Sequence, residues 1–144
     1  MAARIDAVFV PDPDAPSMAL PLASARVAAG FPSPADDHLE GRLDLNEHLV
    51  RHPAATFFVR VAGDSMTGAG IEPGDLLVVD RSLAPADRSV VIAVVDGALT
   101  VKRLRKAGGK AWLAAENPAG PAVPLEGADV EIWGVVTAVV HPPR

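Results

Sequence analysis

From residue 57 onward the chain is a series of short runs rich in Val, Leu and Ile, several of them closed by strong turn signals. No other feature constrains the fold as much. The runs are Phe57–Ala62, Leu76–Asp80, Val90–Val95, Ala98–Leu104, Ala111–Ala115 and Glu131–Val139, and the signals between them include Asp96-Gly97, Gly108-Gly109 and Asn117-Pro118. β-branched side chains fit the pleated surface of a strand, and glycine turns let successive strands fold back on one another. The expectation is a mainly β chain whose body is compact, twisted and all-β. With only 4% aromatic residues, its core must be built from Val, Leu, Ile and Ala.

The first 40 residues read differently. Pro11, Pro13, Pro16, Pro21, Pro32 and Pro34 punctuate them, and no helical or strand period survives. Proline removes a backbone donor and biases the residue before it towards extended conformations. Residues 1–40 therefore read as an extended N-terminal arm, and residues 41–144 as the β-rich body. One short helix is expected over Asp44–His52, with Leu45, Leu49 and His52 on one face and Pro53 as its stop.

Bulk properties narrow the function. A length of 144 residues suits one ordinary domain, and 49% hydrophobic against 22% charged residues provides for a buried core. The formal net charge of −5 argues against direct, specific DNA binding, which normally needs a basic face to displace counterions. There are no cysteines, so disulfides, thiolate metal sites and a Cys nucleophile are excluded. No run of about 18 apolar residues is present, so no membrane span is expected. The apolar Ala7–Val10 is flanked by Asp6 and Asp12, unlike a secretory signal, and the chain reads as cytoplasmic.

The stretch richest in chemistry is Gly63-Asp64-Ser65-Met66, followed by Gly70-Ile71-Glu72-Pro73-Gly74-Asp75. A strand runs into a glycine turn that carries a serine, and such a turn can present a hydroxyl while aiming backbone N–H groups at one point. Serine needs a base within hydrogen-bond reach to act as a nucleophile. His38, His48, His52 and His141 fall in no pattern that suggests a partner for it. Lys102 does better, because strand alternation puts it on one face with Ala98, Thr100 and Leu104. An apolar setting disfavours the ammonium form of a lysine and so favours its use as a base. On chemistry alone a second account stays open, in which Lys102 simply begins a solvated basic run with Arg103, Arg105, Lys106 and Lys110.

Other features have plainer readings. His48 and His52 lie four apart, but no third ligand is evident, so they read as helix-surface residues, and neither metal nor cofactor is expected. Met66 and Ile71 read as core or lining residues, and Trp112 and Trp133 as packing anchors.

Three segments carry a family resemblance. Gly30-Phe31-Pro32-Ser33-Pro34-Ala35-Asp36-Asp37 continues into Arg42-Leu43-Asp44-Leu45-Asn46. His52-Pro53-Ala54-Ala55-Thr56-Phe57-Phe58-Val59 leads to Gly63-Asp64-Ser65-Met66. Ala93-Val94-Val95-Asp96-Gly97 precedes Thr100-Val101-Lys102-Arg103-Leu104. In order and spacing these resemble the LexA/UmuD-type family of self-cleaving serine peptidases, from about Ala23 to the C-terminus. Residues 1–22 carry no part of the resemblance.

The resemblance implies a Ser65 nucleophile with Lys102 as its general base. It implies cleavage of the chain's own Ala29–Gly30 bond, with the N–H groups of Asp64 and Ser65 holding the oxyanion. Ala29 stands where one member has cysteine, although alanine is usual there among LexA-type relatives. The resemblance further implies stimulation by a RecA filament on single-stranded DNA. The shortened homodimer would then serve a UmuC-type subunit of an error-prone translesion polymerase. Two alternatives stand beside this. A LexA-like transcriptional repressor would need an upstream helix-turn-helix domain, for which a proline-rich arm of 29 residues offers no room. A non-catalytic interaction module of the same fold would not need both Ser65 and Lys102.

Overall fold

Each of the six apolar runs becomes a strand. The structure, a computed structural model, describes residues 3–23, 39–116 and 122–144. Its strands are β1 (Arg4–Phe9), β2 (Ala19–Ala23), β3 (Leu39–Asp44), β4 (Thr56–Ala62), β5 (Leu76–Asp80), β6 (Val90–Val95), β7 (Ala98–Ala107), β8 (Lys110–Ala114), β9 (Val123–Pro124) and β10 (Val130–Val140). A short helix, α1 (Leu45–Leu49), and two 3-10 turns, Pro53–Ala55 and Thr67–Ala69, complete the description. The chain is mainly β, as its sequence led us to expect. The chain forms two compact units, Asp12–Arg51 on the one hand and Met1–Pro11 with His52–Arg144 on the other.

In the larger unit eight strands pair in the order β1-β4-β5-β10-β6-β7-β8-β9, every pairing antiparallel. β1 also pairs with β7 through Arg4 and Thr100, so the circuit β1-β4-β5-β10-β6-β7 returns to its start. Closing a sheet in this way removes the unpaired edges that β4 and β7 would otherwise present. Inside lie Ala3, Phe57, Val59, Val61, Met66, Ile71, Leu77, Val79, Ile92 and Val101. A second cluster, Val91, Ala93, Leu104 and Leu113, packs on the other face of β6 and β7. Phe57 meets Trp133 edge-on at 6.3 Å between ring centroids, and the Arg81 guanidinium lies over the same indole at 5.5 Å. β10 bends at two register shifts, one beside Gly134. A Cβ at Gly134 would come within 2.7 Å of Val79 Cγ1, so β10 can approach β5 only without a side chain there.

The smaller unit is the β2–β3 hairpin with α1. Asp44 caps the helix, its carboxylate accepting from the Asn46 N–H at 2.9 Å and from the Met18 N–H at 2.9 Å.

Two expectations need correction. Residues before 40 were expected to hold no strand, yet Arg4–Phe9 and Ala19–Ala23 are strands. Neither has a strong pattern of its own; each is fixed by a partner distant in sequence, β1 by β4 and β2 by β3. The helix also ends at Leu49 rather than continuing to His52. Val50 is extended, and His52 (φ −128°, ψ 80°) is kept out of the helical region by Pro53. His48 and His52 therefore do not share a helix face. His52 Nδ1 instead meets Asp80 Oδ2 at 2.6 Å.

Candidate active site

Ser65 sits where β4 ends and the chain turns sharply. Gly63 adopts φ +81°, a left-handed conformation open mainly to glycine, and turns the chain out of the strand. The Thr67 N–H then donates to the Asp64 carbonyl at 3.2 Å, and the Ala69 and Ile71 N–H groups donate to the Met66 carbonyl at 3.0 and 3.2 Å. Met66 and Ile71 are buried beneath this turn and anchor it to the core, as core or lining residues should. The turn is further held by Glu116, whose N–H donates to the Ser65 carbonyl at 3.0 Å. Gly68 lies so close to this segment that a Cβ there would stand 2.3 Å from the Glu116 carbonyl oxygen.

Ser65 itself is only 6% exposed. Its Oγ accepts a hydrogen bond of 2.7 Å from the N–H of Ala3, and Thr100 Oγ1 donates to the carbonyl of the same Ala3, also at 2.7 Å. Arg4 pairs in register with Ala62 on β4 and with Thr100 on β7. Ala62 precedes Ser65 by three residues, and Thr100 precedes Lys102 by two. The strand leading to the serine and the strand carrying the lysine thus flank β1, roughly 10 Å apart at two strand spacings.

Lys102 pairs with Val91 across β6. It shares its face of β7 with half-buried Thr100 and fully buried Leu104, the neighbours expected from alternation, while Val101 points into the other cluster. Lys102 is half-buried rather than enclosed. The remaining basic residues of this strand have surface partners. Arg103 pairs with Glu116, Arg105 with Asp87 at 3.2 Å, and Lys106 Nζ reaches the Pro85 carbonyl at 3.2 Å.

Asp80 closes β5 and is buried. Burial by itself would raise its carboxyl, but the Ser82 hydroxyl and His52, together with the Ser82 N–H, outweigh that and hold it below the usual carboxylate range. This cluster braces the loop after β5. Among the described residues no group of three or more His, Asp or Glu side chains is placed to hold a metal ion, and no helix is long and apolar enough to cross a membrane. Ala29 and Gly30 lie outside the described residues.

Sequence reading missed Ala3 and Glu116 as parts of this site, and it placed Thr100 beside Lys102 without its bond to Ala3. Ala3 carries no local signal, and nothing local to Thr100 announces a partner 97 positions away. Of the two glycines at the 3-10 turn, Gly68 is the one crowded by the Glu116 segment, whereas Gly70 meets nothing and serves its left-handed φ of +79°.

Comparison with known proteins adds to this geometry. Residues 21–137 match the model of the Peptidase S24-like family. SamA of Salmonella typhimurium is 47% identical over 138 residues, covering 95% of this chain and 96% of that protein. MucA of Escherichia coli is 43% identical over 127 residues, covering 85% and 86%. The LexA repressor of Ectopseudomonas mendocina is 41% identical over 118 residues, covering 81% of this chain and 57% of the repressor.

Proposed function

Because the chain belongs to the Peptidase S24-like family, as a UmuD-type member of the self-cleaving, SOS-related LexA/UmuD group of serine peptidases, we propose that Ser65 and Lys102 form a dyad that cuts its own Ala29–Gly30 bond. The observation that carries this reading is the convergence of the two strands on Arg4. One leads into the buried serine turn and the other holds a half-buried lysine.

The chemistry follows from the residue types. Neutral Lys102 Nζ takes the Ser65 hydroxyl proton as Oγ attacks the Ala29 carbonyl carbon. The N–H groups of Asp64 and Ser65 hold the resulting oxyanion. The Lys102 ammonium returns the proton to the Gly30 nitrogen, which leaves as an amine. Water, deprotonated by Lys102, then attacks the acyl-serine ester; the C–Oγ bond breaks, the Lys102 ammonium returns the proton to Ser65 Oγ, and the Ala29 carboxylate is freed. Small residues on both sides of the bond let an extended backbone lie against the serine. Covalent tethering keeps the arm at high effective concentration, so the reaction needs no separate binding affinity.

We propose a wider role as well, which the likeness to SOS-related relatives supports. A RecA filament on single-stranded DNA favours the cleavable arrangement, which amounts to a population shift. The shortened protein is a homodimer in the cytoplasm and serves as accessory subunit to a UmuC-type error-prone polymerase. The test is direct: incubate the purified chain at mildly alkaline pH and sequence the product. A fragment beginning at Gly30, formed faster as pH rises, supports the reading. A different new amino terminus sinks the site assignment, and a rate indifferent to pH sinks the role of Lys102.

A further inference from the structure

β1 fills the gap between the strand that leads to Ser65 and the strand that carries Lys102. On the functional reading just given, we propose that Ala3 and β1 are an inhibitory strand: they occupy the place in which the Ala29–Gly30 segment must lie, and self-cleavage requires them to leave first.

The geometry leaves little room for both. A peptide about to be cut must bring its carbonyl carbon to about 3–3.5 Å from the attacking oxygen. That position beside Ser65 Oγ is taken by the Ala3 nitrogen at 2.7 Å. Ala3 is 2% exposed and is pinned on its other side by Thr100 Oγ1. The serine oxygen accepts a hydrogen bond from this N–H, which weakens it as a nucleophile. The next residue, Arg4, takes up the pairing positions opposite both Ala62 and Thr100, so a second strand cannot pair with β4 and β7 there. In sequence, Ala2-Ala3 and Ala29-Gly30 each place two small residues in succession, the feature that lets a backbone come close to the serine.

The same strand is built to be released. Its register shifts between Ile5 and Ala7, and at its far end Val8 and Phe9, though paired with Val59 and Phe58 of β4, leave their side chains 46% and 49% exposed. Of the strand itself only Ile5 packs against the interior cluster, with Ala3, just before it, buried inside. Such a strand sets the fraction of molecules competent to cleave, and anything that shifts its docking equilibrium changes the cleavage rate in proportion.

The experiment uses the full chain and three versions of it: parent, Ala3→Pro, which removes the N–H donated to Ser65, and Thr100→Val, which removes the hydroxyl donated to Ala3. Self-cleavage rates are measured at one mildly alkaline pH, with thermal unfolding as the check on folding. Each variant is expected to cleave about tenfold faster, roughly the effect of one lost hydrogen bond on the docking equilibrium. A synthetic peptide spanning residues 2–10 should slow the variants again. Thr100→Val, which keeps the strand's main-chain donors, decides the matter if Ala3→Pro does not unfold cooperatively. Parent and folded variants cleaving equally fast at Gly30 would overturn the inhibitory strand while leaving the dyad standing. A new amino terminus at Ala3 would also overturn it, because β1 would then be a substrate. No cleavage in any form at any pH would remove the dyad reading and this inference with it.

Discussion

The main-chain N–H of Glu116 donates to the carbonyl oxygen of Ser65 across 3.0 Å, although the two residues stand 51 positions apart. Glu116 is in turn ion-paired with Arg103, the residue after Lys102 on β7. The serine turn is therefore tied through Glu116 to the strand that carries the proposed base. The proposed nucleophile and base thus share one frame, as a dyad would need if small displacements are not to cost rate.

Gly68→Ala should loosen that frame. The added Cβ would stand 2.3 Å from the Glu116 carbonyl oxygen, a main-chain atom that cannot swing aside as a side chain could. Either the 3-10 turn or the Glu116 segment must move, at about 1–3 kcal/mol. A lowered melting temperature with slower self-cleavage is expected. Unchanged stability would mean that the turn accommodates the methyl group, and that Glu116 does not fix it.

Ser65→Ala and Lys102→Ala should both abolish self-cleavage but differ in stability. Ser65 Oγ is the acceptor for a buried N–H, that of Ala3, so its removal leaves that donor unpaired at about 1–3 kcal/mol. Lys102 is half-buried and its removal opens no such orphan. Denaturant unfolding of both variants, beside a gel assay of cleavage, separates the two effects. Retained cleavage in either variant would refute the dyad.

What the sequence made legible, and what it hid, divides along the range of the interactions. The strand runs and the Gly63-Asp64-Ser65 turn were readable because β-branching and glycine act locally. The placing of Lys102 beside buried Leu104 was readable because alternation along β7 sets the two on one face. The Ala3–Ser65 and Thr100–Ala3 bonds span 62 and 97 positions and leave no local trace. β1 was lost for the same reason: its weak pattern becomes a strand only against β4. The helix was read too long because Leu45 and Leu49 suggest continuation. The constraint Pro53 places on His52 was legible but was taken as a stop after His52 rather than a bar to its being helical.

Acid should unlock the loop after β5 through Asp80. Its carboxyl is held below the usual range by Ser82 and His52 against the opposing effect of burial. A depressed folded value means the stabilisation is fully present above the unfolded value of about 3.9 and is lost as pH falls through the folded one. Asp80→Asn should cost about 2 kcal/mol near neutral pH, the scale of lost charge-assisted hydrogen bonds. It should also flatten the fall in stability below pH ~4. Unfolding curves of both forms across acid pH would check this; parallel curves would mean that Asp80 does not carry the acid sensitivity.

Cleavage should not turn this protein into a DNA-binding one. Residues 1–29 hold Arg4 and Arg26 against Asp6, Asp12 and Asp14, a net charge of −1, so the product 30–144 carries −4 where the whole chain carries −5. Affinity for duplex DNA comes largely from cations that displace counterions from phosphate. Removing one net negative charge from an acidic protein supplies no such surface. What cleavage does change is covalent: β1, which closes the circuit between β4 and β7, is no longer part of the body's chain. Two strand edges can then be uncovered, and unpaired edges recruit protein partners by strand addition. The cleaved form should therefore capture a polymerase subunit more effectively than the full chain does, while both forms bind duplex DNA no better than background at physiological salt. Pull-down of the polymerase subunit and a salt-titrated DNA-binding assay, each on both forms, give the answer. Tight, sequence-selective DNA binding by either form would overturn this account and favour a repressor.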